Sequence, residues 1–182
     1  MITNEQAKQL MWRLDIQDRL ILQLCMETGL RISDVLELQA SEIKKTMDVL
    51  EHKTNKTKRV ELSETLYFAL QAYIGYYVPP DNRYAFPGRF TQNKRHVSRA
   101  TIHRHIKRAL EGLNFDCSAH STRKLYAYNI LERTGSMEAV QEALNHKYIT
   151  TTAGYLDIDL TKLIKEAAAH GTGRDTAQSQ GN

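Results

Sequence analysis

Two rhythms of apolar residues run along this chain. The first has a helical period. Thr3-Asn4-Glu5-Gln6 matches a capping box and predicts a helix from the outset. Within 17–28, Leu20 and Leu24, and likewise Ile21 and Cys25, stand four apart, and Gly29 supplies the stop. Ser33 to Leu38 reads as a short third helix. The rhythm then shortens. Runs from Met47 to Lys53 and from Lys58 to Leu62 flank polar Thr54-Asn55-Lys56-Thr57, which predicts a β-hairpin with a further strand near 42–45. The helical period returns after Ser63, where Leu66, Leu70, Tyr73 and Tyr77 share a face.

Pro79-Pro80-Asp81-Asn82 breaks the chain, and a loop rich in Arg and aromatics follows, through about Lys94. Ser98 caps another helix with two stripes. Ile102, Ile106, Leu110 and Leu113 form the apolar one; Arg99, His103 and Lys107 form the other, with Arg104 and Arg108 beside it. Further helices are expected at 120–134, 136–144 and 159–169, the last carrying Leu160, Leu163, Ile164 and Ala167 as an apolar stripe. From Gly171 on no apolar residue exceeds alanine, so 171–182 is expected to be a disordered tail. The pattern as a whole predicts a mainly α (α+β) protein: one domain over 1–170, with a small antiparallel hairpin or three-stranded sheet.

Composition narrows the function classes only by exclusion. With 182 residues, 41% of them hydrophobic and 25% charged, the chain can bury a core without staples. No apolar stretch approaches the ~20 residues that span a bilayer, and the N-terminus has no signal-peptide pattern. The two cysteines, Cys25 and Cys117, do not suggest a disulfide framework, so a reduced, cytoplasmic protein is the expectation. Charge says more. Residues 83–124 carry ten Lys/Arg against two acids, and 44–59 carry six against two, although the whole chain is only +4. Two basic segments on an otherwise acidic chain point to a localised polyanion site.

Several familiar chemistries lack their residues. There is no Gly-rich phosphate loop. His103-x-His105 and Cys117-x-x-His120 match no common metal-ligand spacing, so no metal is expected. Residues 18–38 could pass for a helix-turn-helix, but Asp34 and Glu37 give its second helix the wrong sign for DNA. What remains is a set of individually ordinary residues. Arg31 follows the Gly29 stop, within reach of Asp34. Lys53 enters a polar turn. His120 and Arg123 stand three apart on one helical face, His146 ends a helix, and Tyr155 follows nine residues later.

In this order, Thr28-Gly29-Leu30-Arg31, Lys53 in a hairpin, His120-x-x-Arg123, Leu144-x-His146 and Tyr155 resemble the catalytic domain of the tyrosine recombinases, the phage integrase family. His52-Lys53-Thr54-Asn55-Lys56-Thr57-Lys58-Arg59-Val60-Glu61-Leu62 is similar to that family's hairpin. The resemblance covers about residues 3–165. It departs at Thr122 and Lys124, where the family commonly has Leu and His, and at Asn145, where it commonly has Gly. The separate N-terminal DNA-clamping domain of most members is not in this sequence, as in a truncated chain or in short members similar to the fimbrial phase-variation invertases.

The resemblance implies a site-specific recombinase that cleaves and rejoins double-stranded DNA through a 3′-phosphotyrosyl link, with no cofactor. Tyr155 would be the nucleophile and His120 its general base. Arg31 and Arg123 would clamp the phosphate oxygens, His146 would donate to them, and Lys53 would protonate the departing 5′ oxygen. Asp34 would buttress the site without taking part in the chemistry. Lys56, Lys58, Arg95, Arg99, His103 and Lys107 are the expected DNA contacts. Assembly into a dimer or tetramer on DNA through the 159–169 helix and a nucleoid association complete the expectation. The alternatives are a non-catalytic DNA-binding regulator on the same fold and a relaxing activity like that of type IB topoisomerases.

Overall fold

A computed structural model describes residues 2–88 and 95–157. The expected helix at 159–169 and the tail at 171–182 lie outside the described residues. The chain opens with α1 (Asn4–Trp12), where Thr3 and Gln6 close a capping box, and α2 (Ile16–Thr28), capped by Asp15. Leu20, Ile21, Leu22, Leu24 and Cys25 are completely or almost completely buried, so α2 is the spine of the main core.

Gly29 ends α2 at φ +65, in the left-handed region that favours glycine. A Cβ there would meet the Tyr126 ring at 2.3 Å, so this turn depends on the absence of a side chain. The close approach brings the 29–31 turn against the helix that carries Tyr126, and α3 (Ile32–Leu36) starts at once with Arg31 as its N-cap residue.

The hairpin pairs β1 (Thr46–Glu51) with β2 (Lys56–Glu61) antiparallel, in the register Met47↔Val60 and Glu51↔Lys56. Its turn is His52–Asn55, two residues earlier than the sequence suggests. Asn55 takes φ +51, which Asn tolerates, and both Thr54 and Asn55 donate backbone N–H groups to the Glu51 carbonyl. The extra strand expected near 42–45 is not formed. A 3-10 turn at Ala40–Glu42 stands in front of it, and the sheet has two strands.

The remaining helices among the described residues are α4 (Glu64–Tyr77), α5 (Arg99–Ala109), α6 (Ala119–Thr134), α7 (Met137–Ala143) and α8 (Ile149–Tyr155). Leu66, Leu70 and Tyr73 of α4 and Ile102 and Ile106 of α5 face inward, as their spacing predicts, whereas Tyr77, placed on the same stripe, is exposed at the end of α4. Ala127, Ile130, Val140, Leu144 and Leu156 form a second core cluster, which joins α6 to α7 and to the end of α8. That cluster carries Tyr155 on its edge. Helix α8 is not foreseen by the sequence pattern. No helix among the described residues is long and apolar enough to cross a membrane. Cys25 and Cys117 are both free and buried.

Candidate active site

The starts of α3 and α6, the tip of the hairpin and the segment from α7 into α8 converge on one cleft of about 820 Å³. Arg31, Lys53, His120, Arg123, His146 and Tyr155 all line it, so residues spread over 125 positions of sequence meet in one place.

Arg123 is the most deeply set. Its side chain is 4% exposed, and its Nη1 donates to the Gly29 carbonyl and to Glu51 Oε1 at 3.1 Å. Its Nη2 donates to the Leu144 carbonyl at 2.8 Å. Arg31 is more open and donates from Nη1 to the same Glu51 Oε1 at 2.7 Å. Glu51 is wholly buried, and its second oxygen accepts from Asn145 Nδ2 at 3.0 Å. Asn145 sits at φ +57, a left-handed conformation that Asn takes more easily than most residues. Neither Glu51 nor its partnership with Asn145 is singled out by motif or by charge. The available signal was the strand's alternation, which puts Glu51 on the inward face with Met47 and Val49.

Arg31 is therefore partnered by Glu51 and not by Asp34, its nearest acid in sequence. Asp34 is buried, and its Oδ1 accepts the His52 backbone N–H at 3.2 Å, which braces the hairpin tip beside Lys53. Burial pushes the Asp34 carboxyl upward, opposed by that hydrogen bond.

The three titratable rings form one group. Tyr155 meets His120 edge to face at 5.0 Å between centroids and meets His146 at 5.6 Å. The Tyr155 hydroxyl is buried and makes no hydrogen bond of good geometry. Burial drives its pKa up to about 12, while the Arg123 and Arg31 charges act the other way. Burial also lowers the His120 pKa, helped by the charges of Lys124, Arg123, Lys53 and Arg31. His146 falls to about 4, again through burial first and the two arginines second. At neutral pH the cleft thus holds two uncharged imidazoles against a protonated phenol. His146 Nδ1 lies 3.1 Å from Thr152 Oγ1, which fixes the ring through α8 itself. Lys124 caps the arrangement: its ammonium sits over the Tyr155 ring and pairs with Asp157 at 2.9 Å.

The expected DNA contacts divide. Lys56 and Arg99 are exposed on the cleft wall. Arg95, His103 and Lys107 are exposed, but none of the three lines the cleft. Lys58 departs from expectation. Its ammonium donates to the Thr28 carbonyl at 2.5 Å and to the Ala143 carbonyl, and it lies over the Tyr126 ring at 5.0 Å. It shares the inward face of β2 with Val60, so it ties the hairpin to the ends of α2 and α7 instead of pointing to solvent. Burial brings its pKa down to about 8.

Among the described residues one group has metal-ligand geometry: Asp15, Asp18 and His105, with one ligand atom each inside 4.8 Å. Each has a role within the fold. Asp15 caps α2, and Asp18 pairs with His105 at 2.6 Å. Arg13 and Arg108 line the same hollow, which disfavours a cation. Of the residues weighed from sequence only His105 belongs to this group; among the described residues His103, Cys117 and His120 enter none.

The fold is shared with site-specific recombinases. It matches a crystal structure of XerA recombinase at TM-score 0.72 and 23% identity, over 93% of this chain and 64% of that one. It matches XerH bound to its difH substrate before cleavage at TM-score 0.70 and 22% identity, over 95% and 54%. In sequence it is 28% identical to the tyrosine recombinase XerA of Pyrococcus horikoshii, over 91% of this chain and 59% of the relative. The chain thus spans between about half and two thirds of the length of each of these proteins. The match to the phage integrase family extends over residues 1–161, and the chain belongs to that family.

Proposed function

We propose that this chain cleaves and rejoins DNA as a site-specific recombinase, with Tyr155 as nucleophile. The observation that carries the reading is the placement of the Tyr155 phenol. It is buried in the same cleft, and in the same chain, as the Arg31 and Arg123 guanidiniums and the two imidazoles. A phosphodiester drawn into the cleft meets guanidinium N–H groups suited to its non-bridging oxygens, where negative charge grows during attack. The neutral His120 accepts the phenolic proton. His146 donates to the phosphate, and Lys53, at the exposed hairpin tip, protonates the leaving 5′ oxygen. The product is a 3′-phosphotyrosyl link that a second 5′-hydroxyl can attack, so the bond energy is kept.

Lys56 and Arg99 contact the backbone beside the scissile phosphate, and Arg95, His103 and Lys107 extend the contact along the duplex. The structural relatives include recombinases bound to DNA, and lambda integrase as a dimer and a tetramer on DNA. This chain in turn pairs on double-stranded DNA through the 159–169 segment and works at the nucleoid. A non-catalytic regulator has no use for a buried phenol between two imidazoles. A relaxing enzyme of the topoisomerase IB kind uses similar groups but nicks and reseals as a monomer.

Covalent capture on a library of genomic fragments tests the proposal. Denaturant-resistant adducts should enrich one paired half-site, and a supercoiled plasmid carrying that pair should yield exchanged products. Capture of every fragment alike, with plasmid relaxation only, favours the topoisomerase reading. Binding without any adduct favours the regulator.

A further inference from the structure

Behind the cleft wall, bonded to Arg31, Arg123 and Asn145 that line it, is a carboxylate that the proposed chemistry does not use. Glu51 is the last residue of β1, two before Lys53, and is completely buried. Its Oε1 accepts from both Arg31 and Arg123, and its Oε2 accepts from Asn145. One side chain therefore links the hairpin to the start of α3, to α6 and to the residue beside His146.

A guanidinium offers five N–H donors and can present different edges as it rotates. A phosphate needs two such groups held in one relative orientation, and a misplacement of about 1 Å can cost roughly a hundredfold in rate. The hydrogen bonds to Glu51 use Nη1 of each arginine; on Arg123 the Gly29 and Leu144 carbonyls take two further N–H groups, which leaves its Nε–H and one Nη2–H, and four N–H groups of Arg31, for a phosphate. The carboxylate also offsets one of the two positive charges, so the empty cleft holds both arginines without leaving two cations unpaired. Asn145 holds the carboxylate itself in place.

We propose that Glu51 is a positioning residue: held by Asn145, it sets the two guanidiniums at the angle that a scissile phosphate requires. The inference rests on the recombinase reading of this cleft. Its consequence is a split between binding and chemistry. Glu51→Ala removes the acceptor and one negative charge. Binding to a short duplex should be unchanged or tighter, while single-turnover cleavage by the folded protein falls at least about tenfold. Glu51→Gln keeps an acceptor of the same length, and the Asn145 amide can turn to meet its NH2. It should restore cleavage to within about threefold of the parent, with the log-salt dependence of binding steeper by up to about one.

The experiment combines duplex binding and cleavage with guanidinium nitrogen NMR of the unliganded protein. Arg31 and Arg123 should give resolved, slowly rotating Nη signals in the parent and in Glu51→Gln, and averaged signals in Glu51→Ala. A Glu51→Ala protein that cleaves at the parental rate overturns the proposal. So does one in which binding and cleavage fall together, or one whose guanidinium signals stay resolved. If Glu51→Ala does not fold, Glu51→Gln decides: unchanged binding and salt dependence would refute the charge argument. If the parent itself forms no covalent adduct, the recombinase reading falls. The NMR and duplex measurements then still judge Glu51 by themselves.

Discussion

His120 meets Tyr155 edge to face, with ring centroids 5.0 Å apart. One ring comes from the first turn of α6 and the other from the last residue of α8, so the contact ties the proposed proton acceptor to the proposed nucleophile at the edge of the second core cluster. Burial acts on both rings in the same sense, against charge. It keeps the imidazole neutral and the phenol protonated.

The pH dependence of cleavage follows with a definite sign. A base must be unprotonated to work, and the His120 pKa lies below the ordinary 6.5. Cleavage should therefore be flat around neutrality and fall only on the acid side of that value. Single-turnover rates across a pH series check this. An acid limb with its midpoint above 6.5 would show that His120 is not the group being titrated.

The two arginines should respond differently to the same change. Arg31→Lys and Arg123→Lys each keep the charge and lose the fork. Each should slow cleavage more than about tenfold, in keeping with the ~2.7–4 kcal/mol attached to one lost oxyanion donor. Arg123 also holds the Gly29 and Leu144 carbonyls, whereas Arg31 bonds only Glu51 among the protein groups described. Thermal melting should therefore drop for Arg123→Lys and stay near the parent for Arg31→Lys.

Lys58 gives a stability prediction. Lys58→Met removes the donor to two carbonyls at the ends of α2 and α7, which should cost about 1–3 kcal/mol at neutral pH. The folded pKa, about 8, is below the ordinary 10.5, so the fold works against the charged form. That cost is present in full below about 8. Between there and 10.5 the unfolded chain holds the proton and the folded one does not, so stability rises with pH. The advantage of the parent over Lys58→Met in denaturant titrations should accordingly widen from pH 8 to pH 10.

The hairpin shows both the reach and the limit of the sequence. Two residue types that read as charge in a basic segment, Glu51 and Lys58, face inward on their strands instead of outward. The two-residue period identifies those positions, but counting net charge over 44–59 averages the period away. The longer helices are legible because caps and apolar stripes agree, as at Thr3, Ser63 and Ser98. Helix α8 is not, because Ile149-Thr150-Thr151-Thr152 is β-branched and has little helical preference of its own. It folds through the burial of Thr152, Ala153 and Leu156. The six candidate site residues could be ordered along the chain from their resemblance to one family. The network beneath them could not, since Glu51 carries no motif and Asn145 is visible only as a departure from the Gly the family commonly has there.

The most direct test is covalent trapping on a nicked suicide substrate by Tyr155→Phe. The substitution deletes one oxygen that has no hydrogen bond of good geometry to lose, so folding and duplex binding should match the parent. The account predicts that the protein–DNA adduct made by the parent disappears in this variant. Tyr148, exposed at the start of α8, is the rival phenol, and Tyr148→Phe should leave the adduct intact. An adduct that persists in Tyr155→Phe, or one that vanishes in Tyr148→Phe instead, would contradict the assignment of the nucleophile.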